Sequence, residues 1–314
     1  MPPSEGVPDG QGRTGGEDER ARPVADSVFD AVVLAGGPPA PALTGGSLPK
    51  AFAPIGPSTM VEYVLAALRG APQIRRIAVV GPDPMPPAVA AAANLTVRAG
   101  GGVLDNLSAG LASLASSASP TAAAAPPGGP IDRTAPVLVA AADVPLLTPE
   151  AVTAFLDAAR AVDADAAYAI VPRDEVARSA PGVRKTFVRL ADGEFTGGSL
   201  VLLRPGAFAR ARPIIERAVR ARKRPWELAR LFGLSTLVGL ATGRLRIAVL
   251  EQRAQTVAGL RARAIICRDA GVALDVDTVE MLALVRRRVA PAAGAGGAAA
   301  RTLRGAAGAG REAS

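Results

Sequence analysis

The sequence predicts a three-layer α/β/α domain with a mostly parallel sheet and a small helical insertion. Three observations carry this. Between Ser27 and Arg288, short β-rich apolar runs alternate with amphipathic helical patterns, the rhythm of βαβ units. One run, Val137 to Ala142, is apolar throughout, as in a strand buried on both faces. Hydrophobic residues make up 49% of the 314 and charged residues 20%, enough to build a sizeable core and too apolar for a disordered chain.

The elements follow in order. Residues 1–26 are rich in Gly, Pro and charge, with Glu17, Asp18 and Glu19 where a secretory signal would be apolar, and read as a disordered tail. Strand one is Phe29 to Leu34, closed by Ala35-Gly36-Gly37. A long loop from Pro38 to Pro49 leads to Lys50. The helix Thr59 to Arg69 then places Met60, Val61, Val64, Leu65 and Leu68 on one face. Strand two is Arg76 to Val80, and a weaker strand, Asn94 to Val97, feeds Gly100-Gly101-Gly102 and a helix from Leu104 to Leu114. Residues 115–135, almost wholly Ala, Ser, Pro, Gly and Thr, read as a flexible surface insertion. After the strand Val137 to Ala142 comes Asp143-Val144-Pro145-Leu146-Leu147, then a helix capped by Thr148 with Pro149 in its first position. Further strands are expected at Ala166–Val171, Thr186–Leu190, Leu200–Leu203, Leu245–Val249 and Arg263–Cys267. Gly271 to Asp277 closes the core and the helix Val279 to Arg288 ends a domain spanning 27–288. Residues 289–314 are Ala/Gly/Arg low complexity and read as a second disordered tail.

Composition removes whole classes of chemistry. With no histidine, every Ser-His or Cys-His triad and every histidine metal ligand is excluded. The single cysteine, Cys267, excludes intramolecular disulfides and thiolate metal clusters, which suits a reducing, cytoplasmic setting. No apolar run reaches the length of a membrane span. Basic residues comprise 33 arginines against three lysines, Lys50, Lys185 and Lys223, so a retained lysine is a candidate for a task that needs its point charge. The net charge of +8 is concentrated in residues 204–253, with twelve basic and three acidic side chains; nucleic-acid binding over the whole surface is not expected.

Three features carry chemistry. Gly36 and Gly37 end the first strand, where an open α/β sheet places its ligand crevice and where bare N–H groups can meet phosphate. The loop returns to Lys50, a point charge for a polyphosphate, or else a chance lysine on a surface loop. Neither a Walker motif nor GxGxxG spacing is present. Asp143 follows the buried strand and is either a hard-cation ligand or a turn aspartate before Pro145. In Asp275-Val276-Asp277, alternation puts both carboxylates on one face, where the pair could complete a metal site, or Asp277 could cap the next helix.

Together Leu34-Ala35-Gly36-Gly37, Pro49-Lys50-Ala51-Phe52, Ala142-Asp143-Val144-Pro145-Leu146-Leu147-Thr148, Thr196-Gly197-Gly198-Ser199 and Asp275-Val276-Asp277 resemble the molybdenum-cofactor guanylyltransferase-like NTP transferases. The resemblance spans Phe29 to Leu284. It implies a nucleotide-diphospho-sugar transferase-like fold and Mg²⁺-dependent transfer of a nucleoside monophosphate from an NTP to a phosphorylated small-molecule acceptor, with release of pyrophosphate. It further implies nucleotide binding by Leu34, Ala35, Gly36, Gly37, Lys50 and Asn106, catalytic roles for Lys50 and Asp143, Mg²⁺ on Asp143 and Asp277, and an acceptor-facing turn at Thr196, Gly197, Gly198 and Ser199. Two positions depart from the family pattern: the loop Pro38 to Pro49 lacks an arginine, and Ser199 stands where Asn is common. Alternatives are a nucleotide-sugar-dependent glycosyltransferase and a non-catalytic nucleotide-binding relative. Nucleotidyl transfer suits a chain without histidine, because an ionised phosphate attacks without a general base.

The basic insertion, 205–243, reads as an Arg-rich helix from Phe208 to Lys223 followed by a second helix opened by Pro225 and carrying Trp226. It is expected either to flank the acceptor pocket as a helical hairpin or to make peripheral membrane contact.

Overall fold

The computed structural model describes residues 28–117, 135–221, 226–227, 230 and 233–295. The N-terminal tail, most of the 115–135 insertion, Lys223 and Pro225 lie outside the described residues. A mixed, mostly parallel sheet runs in the order β10-β7-β9-β6-β1-β4-β5, with β8 paired to β9. Its strands are β1 (Phe29–Leu34), β4 (Ile74–Gly81), β5 (Leu95–Arg98), β6 (Val137–Ala141), β7 (Ala166–Pro172), β8 (Val188–Leu190), β9 (Gly193–Leu203) and β10 (Ala262–Ile266). A separate ribbon pairs β2 (Pro54–Ile55) with β3 (Ser58–Thr59). β1 lies parallel to both β4 and β6, β4 to β5, and β7 to β10. β9 is the reversed strand, antiparallel to β6, β7 and β8.

Helices cover both faces. On one lie α2 (Met60–Gly70), α5 (Pro149–Arg160), α6 (Arg173–Ser179) and α10 (Val279–Ala295), around a large core containing Met60, Leu65, Leu138, Phe155, Leu156 and Leu282. On the other, α4 (Val103–Ser116) and α7 (Pro205–Ala221) close a smaller cluster of Val32, Val80, Leu107, Leu114, Val139 and Phe208. Helix ends follow local chemistry. Glu62 accepts from the backbone N–H of Thr59 at 2.7 Å at the start of α2, and Thr148 accepts from Ala151 N at 3.1 Å at the start of α5.

Several expectations change. The loop Pro38–Pro49 is folded: Pro41 opens the short helix α1 (Pro41–Thr44), Gly45 ends it at φ +70°, and Ala40 N donates to Leu48 O at 3.0 Å. A short helix, α3 (Pro87–Ala92), also stands between β4 and β5. The expected strand Leu245–Val249 is instead the start of α9 (Ile247–Ala258), because Asp192, distant in sequence, accepts the Ile247 N–H at 2.7 Å and caps the helix. The expected turn Thr196–Ser199 lies inside β9, and α10 runs past Arg288 to Ala295. Of the insertion, α7 and α8 (Leu234–Ala241) are helical. α7 packs against α4, with Arg212 donating to Ser108 Oγ at 2.7 Å and paired with Asp105 and Glu216. Trp226, Leu234 and Val238 are exposed. Among the described residues no helix is long and apolar enough to cross a membrane.

One charged group is buried in the sheet itself. Asp30 on β1, its side chain 7% exposed, accepts from Arg75 and from Arg76 on β4 at 2.6–3.2 Å. Burial raises its pKa, but the two guanidiniums outweigh that and hold the carboxyl below its ordinary range. A depressed carboxyl contributes stability that is fully present above the unfolded-state pKa and is lost as pH falls through the folded one. Asp30→Asn should cost about 2–3 kcal/mol at neutral pH, less than a fully enclosed pair because the arginines can rehydrate. Urea denaturation at several pH values checks this: the gap between wild type and variant should narrow as the pH falls below about 4.

Candidate active site

Parallel strands end on the same side, so β1, β4, β5 and β6 bring their following loops to one crevice. Backbone bonds lock those loops together. Ala35 N donates to Val80 O at 2.8 Å, Ala99 N to Gly81 O at 2.7 Å, and Ala142 N to Leu34 O at 3.3 Å. Val276 N donates to Asp143 O at 2.9 Å, which fixes the Asp275–Asp277 segment beside the end of β6. Lys50 enters from a single helical turn, Lys50–Phe52, anchored by the buried Ala51 and Phe52.

The three residues expected to act together do meet. The Lys50 ammonium is 2.5 Å from Asp143 Oδ2 and also bonds Asp277 Oδ1. Burial by itself lowers the Lys50 pKa; the two carboxylates more than reverse this and hold the ammonium above its ordinary range. The hydrogen bond from Lys50 in turn keeps Asp277 below the usual carboxylate range.

Lys185 extends the cluster, and no role for it follows from the sequence motifs. Its side chain, 14% exposed, donates to the Ala273 carbonyl and pairs with Asp275. Burial pushes the Asp275 carboxyl up, and the neighbouring Asp277 adds to that. The signal available in sequence was scarcity: two of the three lysines stand here.

Asp143 Oδ1 is buried and has no hydrogen-bond partner, and the cluster sets three carboxylates against two ammoniums. A hard cation would satisfy both features. Among the described residues no three His, Cys, Asp or Glu side chains gather to cage a metal unaided. One or two carboxylates beside substrate phosphates is the usual Mg²⁺ arrangement, so the donor set fits.

The glycine-rich edge is close-packed. A Cβ on Gly36 would lie 2.7 Å from Ala99 Cβ and 3.1 Å from Asn106 Nδ2, and Gly37 has φ +146°. Asn106 is buried and its Oδ1 accepts the Gly100 N–H at 2.9 Å, so it holds the β5 loop against the β1 loop. In β9, a Cβ on Gly197 would come within 2.1 Å of Tyr168 Oη, and one on Gly198 would meet Ala169 and Val272. These glycines admit the register shift opposite Tyr168 and Ile170. Thr196 and Gly197, with Lys185, Asp275 and Asp277, line a cavity of about 840 Å³; Gly198 and Ser199 do not. Cys267 is buried, and burial together with Asp269 pushes its thiol up to about 11, so it is no nucleophile at neutral pH.

A family model for the MobA-like NTP transferase domain matches residues 31–304. Among solved structures, one described as a hypothetical transferase from Thermus thermophilus aligns at 38% identity and a TM-score of 0.69, covering 81% of this chain and 99% of its own. A 4-diphosphocytidyl-2C-methyl-D-erythritol synthase aligns at 19% identity and a TM-score of 0.48, over 83% of this chain and 97% of its own. A 2-C-methyl-D-erythritol 4-phosphate cytidylyltransferase from Thermus thermophilus aligns at 19% identity and 0.42, over 83% and 98%. No curated protein matches. With a family model over most of its length and a well-superposed relative of the same α/β architecture, the chain belongs to the MobA-like NTP transferase family, a group of nucleotidyltransferases.

Proposed function

We propose that this protein is a Mg²⁺-dependent enzyme that transfers a nucleoside monophosphate from an NTP to a phosphorylated small-molecule acceptor. The observation that carries the reading is the convergence of Lys50, Asp143 and Asp277 at the end of β6, with the bare Oδ1 of Asp143 among them. In the reaction an acceptor phosphate oxygen attacks the α-phosphorus of the NTP. The new P–O bond forms as the bond from the α-phosphorus to the bridging oxygen breaks, and pyrophosphate leaves with that electron pair. No proton need be removed from the nucleophile, which agrees with the absence of histidine.

The roles divide by place. Leu34, Ala35, Gly36 and Gly37 present backbone to the nucleotide, with Asn106 bracing that seat. Lys50 supplies positive charge to the phosphates. Its ammonium now neutralises two acids, and a triphosphate offers it a competing anion on a flexible stem. Asp143 and Asp277 would hold Mg²⁺, which when bound neutralises charge developing on the phosphates. Lys185, with Thr196 and Gly197, faces the acceptor side. A cytoplasmic setting suits the single buried cysteine.

A thermal-shift screen of the four common NTPs with and without Mg²⁺ tests the reading. One NTP should raise the Tm only with the metal, and Asp143→Asn should abolish that rise; no metal-dependent rise with any NTP would remove the proposal. Gly36→Ala should weaken the same NTP about tenfold or more while the apoprotein melts within a few degrees of wild type, since the added methyl drives the β1 loop off Ala99 and Asn106. In a phosphate-acceptor panel read by pyrophosphate release, Lys50→Ala should lower kcat about 10²–10³-fold. Lys185→Met should cost about 1–2 kcal/mol in urea denaturation, because Asp275 keeps its burial and loses its ammonium.

A further inference from the structure

The 840 Å³ cavity next to the acidic cluster has an ordered lengthwise composition that says what an acceptor must look like. One wall is α10. Asp277, Thr278 and Glu280 stand at its start, Met281 and Leu284 follow, and Arg287 is the last of its lining residues. From Val279 to Arg287 the helix rises about 12 Å, so the wall passes from acid and ammonium, through apolar surface, to a guanidinium at the far end. Val183 and Arg184 contribute an apolar side chain and a further guanidinium from the loop after α6.

Arg287 is unlike its neighbours. Arg286 donates to the Pro54 carbonyl at 2.8 and 3.0 Å, and Arg288 donates to the Ser179 carbonyl, so both pin α10 to the body of the domain. Arg287, between them, makes no hydrogen bond or ion pair among the described residues, and neither does Arg184. Guanidiniums free of protein partners on a cavity wall present a planar fork of donors that matches phosphate or carboxylate. Met281, 9% exposed, gives the ligand between the two charged ends something apolar to lie on.

We propose that the acceptor is an elongated molecule with two negatively charged ends. The reacting phosphate sits at the Lys185 and Asp277 end, an apolar middle lies along Met281 and Leu284, and a second phosphate or carboxylate binds Arg287. This rests on the reading of the site as a nucleotidyltransferase centre and adds the acceptor's length and second charge to it. Arg287 is then a specificity-determining residue that never approaches the bond being made.

Isothermal titration of the full chain with Mg²⁺ and no NTP tests this with three probes: the bisphosphate of a linear eight-carbon diol, n-octyl phosphate, and the bisphosphate of a two-carbon diol. The long bisphosphate should bind about tenfold or more tightly than either of the others. Arg287→Ala should reduce it to the affinity of octyl phosphate and leave octyl phosphate itself unchanged, and Arg287→Lys should restore part of the difference. Equal binding of the long bisphosphate and octyl phosphate, a preference that survives Arg287→Ala, or no binding by any probe would overturn the proposal. NTP-induced thermal shifts on the same samples keep the two readings apart. If the NTP response is lost while the bisphosphate preference holds, the nucleotide assignment falls and the anion site stands; if the NTP response holds and the preference is missing, only the acceptor assignment falls.

Discussion

A cluster of two ammoniums and three carboxylates, Lys185 with Asp275 and Lys50 with both Asp143 and Asp277, is the constraint on which the crevice depends. Its members come from four separate stretches of sequence, and none is fully solvated. A carboxylate as enclosed as that of Asp143 is tolerated only where an opposite charge compensates its lost hydration. The cluster therefore does two things at once. It holds the loop after β1, the end of β6 and the segment before α10 in one place, and it leaves an excess of carboxylate with an unpartnered oxygen on Asp143.

The sheet makes that cluster possible. Four parallel strands point their carboxyl ends at the crevice, so glycines and acids that sit directly after strands arrive there without further design. The reversed strand β9 has another use. Running antiparallel between β6 and β7, it carries Thr196 and Gly197 back toward the crevice, and the glycines let it shift register where Tyr168 and Val272 crowd it. The 840 Å³ cavity is thereby built from β9, the loop after α6 and α10, apart from the glycine-rich edge formed after β1 and β5.

Much of this was legible in the sequence because the signals are local. Apolar runs ending in Gly or Asp mark strands and their crevice ends, and the meeting of Lys50, Asp143 and Asp277 follows once those strands are parallel. What escaped is tertiary. Leu245 to Val249 alternates like a strand and becomes the start of a helix only because Asp192 supplies a cap from elsewhere in the chain. Thr196 to Ser199 reads as a turn from its glycines, yet the glycines serve close approach within β9. Asn106 was expected at the nucleotide, and its visible work is to bond Gly100. Lys185 lies in a segment without a motif, so only its rarity pointed to it.

Arginine usage in this chain sharpens what a lysine means. Where a guanidinium suffices, arginine is used for structure: Arg75 and Arg76 neutralise Asp30, Arg212 ties α7 to α4, Arg286 and Arg288 pin α10, and Arg261 pairs with Asp163 and Asp165. Those forks are spent on fixed partners, and a planar group with several directed donors suits a contact that never changes. The crevice needs the opposite. In the proposed reaction a charge leaves one carboxylate for a phosphate within a cluster only a few ångströms across, and a compact ammonium at the end of a flexible stem suits that better. Under the proposed function, the two lysines retained at the site and the unpaired Arg184 and Arg287 on the cavity wall share one character: each is a cation available to a partner that is not part of the protein.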